Sequence, residues 1–201
     1  MLMIMNTTDY IFEAFNNQPI RVVSGKKYCV NTITDHAPAT RPELLQQIIA
    51  EATQLIEYTD ADLLVGEEDR GGYICSLLSI PWMKPFTLTV WNPSGFEGEI
   101  AVDFKNAYTD GTLYLNGIDA AHKKVIIVED IIDTGGTIIA MVQLLQKAGV
   151  EVIDIFAIAE KVDYGGKERI YQETGILAKT LVSFTSGDSV STVVSRNNQT
   201  I

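Results

Sequence analysis

Cysteine is scarce in this chain of 201 residues: Cys29 and Cys75 are the only two, far apart and without the paired spacing of a metal knuckle. A disulfide scaffold and a cysteine zinc site are excluded, and both thiols read as packed side chains in a reducing compartment. Histidine is equally rare. His36 and His122 stand alone in polar surroundings, and neither reads as catalytic. Basic charge is short as well, with 15 Lys plus Arg against 26 Asp plus Glu and a net charge of −11. Such a surface repels nucleic acid and anionic membranes, so neither is expected as a partner. No apolar run approaches the roughly 18 residues of a spanning helix. The apolar start, Met1 to Asn6, has no basic side chain ahead of it and is too short for a secretory core. Repeats, low-complexity tracts and long linkers are absent. What remains is a chain with 46% hydrophobic and 20% charged residues, long enough to bury roughly 70% of its unfolded surface in one core. The expectation is a single cytoplasmic domain spanning residues 1–201.

The pattern along the chain is that of an α/β protein. Thr7 to about Gln18 predicts a short helix capped by Thr7 or Thr8, with Phe12 and Phe15 on one face. Arg21 to Ile33 reads as two strands around Ser24-Gly25. A helix opens at Arg41-Pro42-Glu43 and runs to about Tyr58, since Pro42 suits the first helical position and Leu44, Leu45, Ile48, Ile49, Ala52, Leu55 and Ile56 recur at helical period. Leu63-Leu64-Val65, Thr87 to Trp91, Val125 to Val128 and Val152 to Ala159 are apolar runs fit for strands. Helices from about Gly72 to Ser79 and about Thr137 to Lys147 lie between them. Runs apolar at every residue suit strands covered on both faces, which predicts a mainly parallel sheet flanked by helices. Asn92 to Ala121 differs, with Gly95, Gly98, Gly111 and Gly117 among Thr, Tyr and Asp. It reads as a flexible hairpin projecting from the sheet, with Thr112 to Asn116 as a returning strand.

The informative stretch is Val125-Ile126-Ile127-Val128-Glu129-Asp130-Ile131-Ile132-Asp133-Thr134-Gly135-Gly136-Thr137. A buried strand ends in two carboxylates, and a Gly-Gly loop between threonines then starts a helix. Ligands of open α/β sheets bind beyond the carboxyl ends of the strands. Loop amides and a helix N-terminus make an anion site, which Thr134 and Thr137 can supplement with hydroxyls. The acids would repel a phosphate unless turned to hydroxyls or a cation. Glu129 and Asp130 therefore suit a ribose diol and, directly or through water, Mg²⁺. Taken alone, Thr-Gly-Gly-Thr is equally a turn with capping acids; the complete motif favours a ribose-5-phosphate site.

At these residues the chain resembles the type I phosphoribosyltransferases. Leu64-Val65-Gly66-Glu67-Glu68-Asp69-Arg70-Gly71 looks like the pyrophosphate-side loop of adenine phosphoribosyltransferases. Ile33-Thr34-Asp35, the helix after Arg41, and Ala107-Tyr108-Thr109-Asp110-Gly111-Thr112-Leu113-Tyr114-Leu115-Asn116-Gly117 look like archaeal-type purine phosphoribosyltransferases. The likeness covers roughly residues 28 to 184.

The resemblance implies a central sheet with a small hood built from about residues 1–34 and a flexible hairpin over about 92–121. It implies Mg²⁺-dependent transfer of phosphoribose from phosphoribosyl pyrophosphate to a purine, giving a nucleoside monophosphate and pyrophosphate, in a homodimer. Glu129 and Asp130 would hold the ribose and the metal, and Asp133, Thr134, Gly135, Gly136 and Thr137 the 5′-phosphate. Glu68, Asp69, Arg70, Gly71 and Lys105 would face pyrophosphate, although Asp69 and Glu67 also read as loop-solvating acids. Asp133 matches the acid proposed to share the purine's imidazole proton in the hypoxanthine-guanine branch, which favours a 6-oxopurine over adenine; its alternative is a helix cap. Lys161 and Tyr164 would contact the base, with Phe156 either walling it or packing in the core, and Tyr108 would close over the substrate from the mobile loop.

One departure stands out. Purine relatives carry a basic run after the third strand, whereas Trp91-Asn92-Pro93-Ser94-Gly95-Phe96-Glu97-Gly98-Glu99 has no cation, the nearest being Lys84 and Lys105. Two rivals stand beside this reading, and the loss of charge-assisted bonds to the leaving group favours the first. One is a catalytically silent regulatory protein that binds phosphoribosyl ligands. The other is transfer to a non-purine acceptor such as orotate.

Overall fold

The computed structural model describes residues 8–105, 110–118 and 121–197. Its frame is a six-stranded sheet built from β3 (Leu63–Glu67), β4 (Phe86–Thr89), β7 (Lys124–Ile132), β8 (Glu151–Lys161), β9 (Lys179–Ser186) and β10 (Ser191–Arg196). The order is β10-β9-β8-β7-β3-β4. Every neighbouring pair is parallel except β9 with β10, which run antiparallel. The unbroken apolar runs arise because successive residues serve opposite cores. In β7, Ile126 and Val128 enter the core beneath α2 (Pro42–Leu55) and α3 (Gly71–Trp82), while Val125 and Ile127 enter the one beneath α4 (Gly136–Lys147).

Pro42 opens α2 as expected, and the helix buries Leu44, Ile48 and Ala52 one turn apart; each buried Leu or Ile contributes roughly 1.5–3 kcal/mol. The first helix, α1 (Tyr10–Phe15), is shorter than the sequence predicts. Its cap is Asp9, whose carboxylate accepts the Phe12 N–H at 3.0 Å. Thr8 precedes that cap, and Thr7 lies outside the described residues. Phe15 is buried on Phe184 whereas Phe12 is exposed, so the two phenylalanines do not share a buried face. Arg196 fastens this end of the chain to the sheet, with bonds to both oxygens of Asp9 and both of Glu51.

Two small antiparallel sheets complete the fold. β1 (Ile20–Val23) and β2 (Lys26–Cys29) form the expected hairpin around Ser24-Gly25, within the segment expected to make the hood. The second pairs β5 (Ile100–Lys105) with β6 (Asp110–Leu115), which includes the returning strand. It does not stand clear of the body: Val102, Phe104, Leu113 and Leu115 are buried in the α4 core, because alternate residues of each strand are apolar. Residues 106–109, with Tyr108, lie outside the described residues. After β8 a single 3-10 turn (Val162–Tyr164) leads into α5 (Gly166–Thr174). No described helix is long and apolar enough to cross a membrane.

Candidate active site

A cavity of about 530 Å³ opens at the carboxyl ends of the parallel strands, within the size range of small-ligand sites. The hood supplies Val23, Tyr28, Cys29, Thr34 and Asp35. Glu67, Asp69 and Arg70 follow β3, Trp91 follows β4, and Glu129 to Ile138 descend from β7 into α4. Lys161 and Phe184 close the far side from β8 and β9. Six carboxylates (Asp35, Glu67, Asp69, Glu129, Asp130 and Asp133) thus share the wall with two cations, Arg70 and Lys161.

The strand before the loop is longer than its apolar run, because β7 pairs with β8 as far as Ile132. Glu129 and Asp130 therefore sit within the ladder and not beyond its end. The loop itself is built for an anion. Gly135, at φ 75°, occupies the left-handed region and caps α4 without any side-chain bond. The first amides of α4 thus receive no bond from a capping side chain at the N-cap position. Thr134 Oγ1 is buried without a hydrogen-bond partner, a hydroxyl that burial makes costly to leave unpaired. Thr137 lines the same wall one residue into the helix.

Both acids of the pair are buried. Burial, reinforced by the charges of Asp130 and Glu67, pushes the Glu129 carboxyl well above its ordinary range. Its Oε1 has no partner, while Oε2 accepts the Asp130 N–H at 3.3 Å. Burial also raises Asp130, to about 6, against donors from Thr34 and Ile131 and the Arg70 charge. Gly71 makes room for Glu129: a Cβ there would stand 2.9 Å from the carboxylate.

The loop after β3 divides its residues differently from the sequence reading. Glu67, read as a loop-solvating acid, is buried in the cavity wall, where it accepts the N–H of Asp69 at 2.9 Å and the indole N–H of Trp91. Burial raises its pKa. Glu68, placed among the pyrophosphate residues, is not on that wall; it is exposed and accepts the Trp91 backbone N–H at 2.7 Å. Period-two alternation explains the exchange, since the strand direction carries on through Glu67 and turns Glu68 outward. Gly71 is likewise a floor beneath Glu129 and not a wall residue. Arg70 and the exposed Asp69 do face the cavity, and the guanidinium lies 5.8 Å from the Tyr28 ring centre. Trp91 stands where the basic run was missing. Lys105 ends β5, but its side chain lies outside the described residues.

At the other end, Lys161 is fully buried, although it stands at a strand end. Its ammonium donates to the Lys27 carbonyl and lies 4.7 Å from the Tyr164 ring centre. Burial lowers its pKa, and the negative Asp133 and Asp163 oppose that shift. Asp133 and Lys161, of opposite charge, both line the cavity. Tyr164 supports the ammonium from behind and is not part of the wall. Phe156 packs in the core, while Phe184, which the sequence did not single out, reaches the cavity. Tyr28 and Cys29 of β2, Trp91 after β4 and Phe184 of β9 come from three separate parts of the fold and carry no shared motif. Trp91 alone had a usable signal, since it follows a predicted strand at its carboxyl end.

Residues 89–184 match the model of the phosphoribosyl transferase domain family. A hypoxanthine/guanine phosphoribosyltransferase of Methanocaldococcus infernus is 35% identical over 170 residues, covering 85% of this chain and 91% of the relative. Another, from Methanobacterium lacus, is 37% identical over 164 residues, covering 82% and 84%. Among solved structures, adenine phosphoribosyltransferase from Thermoanaerobacter pseudethanolicus superposes with a TM-score of 0.71 at 21% identity, covering 87% of this chain and 98% of that one.

Proposed function

Because the chain belongs to the purine branch of the type I phosphoribosyltransferase family, we propose that it catalyses Mg²⁺-dependent transfer of phosphoribose from phosphoribosyl pyrophosphate to a 6-oxopurine. The observation that carries this reading is one cavity holding an open hydroxyl and helix amides beside two buried acids. A 5′-phosphate fits the amides and Thr134, and a ribose diol fits Glu129 and Asp130. A diol also relieves the cost of leaving Glu129 Oε1 unpaired. Asp133 and Lys161 both line the cavity, and the negative Asp133 opposes the lowering of the Lys161 pKa. There Asp133 can hold the purine's imidazole proton while Lys161 donates to the 6-oxygen. The hypoxanthine/guanine names of the relatives support the same preference.

The residues present fit a magnesium ion. Mg²⁺ takes one or two carboxylates and completes its shell with substrate oxygens and water, and Glu129 and Asp130 offer hard oxygens, one of them unpartnered. Among the described residues no group of three potential ligands encloses a site, so the ion would enter with the substrate. Bound there, it supplies positive charge against the leaving pyrophosphate. Among the described residues, Arg70 is a cation on that part of the cavity wall, 5.8 Å from the Tyr28 ring centre. A homodimer is proposed on the resemblance, to be checked by size exclusion with light scattering. The two buried free thiols support a reducing, cytoplasmic setting.

The test is pyrophosphate release from phosphoribosyl pyrophosphate and Mg²⁺ with hypoxanthine, guanine, adenine or orotate. Turnover with hypoxanthine or guanine well above adenine is expected. Turnover with orotate alone would overturn the purine assignment, and tight binding without any turnover would make the protein a ligand-binding regulator.

A further inference from the structure

A chain of buried polar groups runs from the hood to Asp130, and the chemistry of its members fixes its direction. The Asn31 side chain is locked first. Its Oδ1 accepts the backbone N–H groups of Ile33 and Thr34, each at 2.9 Å, so its Nδ2 faces the other way. That nitrogen can only donate, and it does so to the Cys29 carbonyl at 3.1 Å and the Thr34 hydroxyl oxygen at 3.2 Å. With that side of Oγ1 occupied, the single hydroxyl proton of Thr34 points to Asp130 Oδ2, 2.9 Å away across 96 residues of sequence. The other oxygen of Asp130 accepts the Ile131 N–H at 2.6 Å. Each carboxylate oxygen thus has one protein donor, and the plane of the group is set. The loop behind Asn31 is clasped in turn: Asp35 accepts the Asn31 N–H at 2.9 Å and the Tyr28 hydroxyl at 2.7 Å. Asn31 and Thr34 are both buried, so water does not substitute for these bonds.

We propose that Thr34 is a positioning residue, whose hydroxyl, aimed by Asn31, holds the Asp130 carboxylate in the orientation that receives the sugar. The hood is then part of the sugar site as well as its cover. The proposal rests on the reading of Asp130 as a sugar-facing acid.

Thr34→Val keeps the shape and removes the donor; Thr34→Ser keeps the donor and removes a methyl group. Calorimetric titration with phosphoribosyl pyrophosphate and Mg²⁺ should show about tenfold weaker binding for Thr34→Val, with affinity restored in Thr34→Ser and the KM for the purine unchanged in both. Should the valine variant not fold, Thr34→Ala gives the same readout. Asp130→Asn, titrated alongside, separates the two ideas. If it loses affinity while Thr34→Val binds like the wild type, or while the valine and serine variants are equally weak, the positioning role is overturned and the sugar site stands. If Asp130→Asn binds like the wild type, the sugar site itself is wrong and the proposal falls with it.

Discussion

Gly166 lies directly on the backbone of Asp133: a Cβ placed on Gly166 would stand 2.2 Å from the Asp133 carbonyl oxygen. The contact is mutual, since a Cβ on Gly135 would meet the Gly166 carbonyl at 2.8 Å. The first turn of α5 therefore forms the back of the phosphate loop, and Arg169 of the same helix donates to the Thr134 carbonyl at 3.3 Å.

Gly166→Ala should push the loop toward the cavity, because the clash is with backbone and not with a flexible side-chain end. We expect a stability loss of about 1–3 kcal/mol, the usual cost of overpacking. Nucleoside monophosphate affinity should fall at least about tenfold, beyond what that stability loss explains while the protein remains folded. Equal affinity in variant and wild type at a temperature where both are folded would refute the packing argument.

Asp133→Asn should lower kcat by about 100-fold, the lower range of general-base contributions, while leaving phosphoribosyl pyrophosphate affinity nearly unchanged. In the proposed site the phosphate would meet amides and hydroxyls, which the substitution does not touch. Steady-state kinetics with hypoxanthine, paired with titration of the phosphoribosyl substrate, check both halves. Unchanged turnover would remove Asp133 from proton handling.

The buried acid pair makes the unliganded protein sensitive to pH. An unfolded Glu129 ionises near 4.5, whereas the folded carboxyl holds its proton to higher pH because it is buried beside Asp130 and Glu67. The folded state therefore binds more protons across that window, and stability falls as pH rises through it. Glu129→Gln lacks this loss. Its stability should match or trail that of the wild type below pH about 4.5 and exceed it by about 1–2 kcal/mol at pH 8. Urea unfolding of both proteins at several pH values measures the difference, and a gap that fails to widen with pH would refute the account. The variant should bind phosphoribosyl pyrophosphate poorly, since the neutral carboxamide keeps one acceptor oxygen but replaces the other with a donor and loses the charge that attracts Mg²⁺.

Arg196 joins the two ends of the described chain through Asp9 and Glu51, with its own side chain 9% exposed. Arg196→Met should destabilise the protein by about 2–3 kcal/mol, less than for a fully buried pair because both acids retain some exposure. Burial raises the Asp9 pKa, but the bonds from Arg196 and the Phe12 N–H more than reverse this, so the net shift is downward. Its contribution is thus present above the unfolded value of 3.8 and lost as pH falls below it. The gap between variant and wild type in urea melts should close on acidification.

The sequence by itself determined the sheet-and-helix alternation and the Gly-Gly loop that opens α4. Both are encoded locally: apolar at every residue means a strand covered twice, and Asp133 to Thr137 share one stretch of cavity wall through backbone conformation and adjacency. Local pattern could not decide which side chains from distant segments meet. Thr34 reaches Asp130, Lys161 is buried beneath the hood carbonyl of Lys27, Glu67 turns inward while Glu68 turns out, and Trp91 takes the wall where a cation was sought. Each outcome depends on strand order, on pleat direction at the end of β3 and on the hood folding back over the sheet. These are long-range packing choices, made by burial and hydrogen-bond geometry between residues that no spacing in the chain connects.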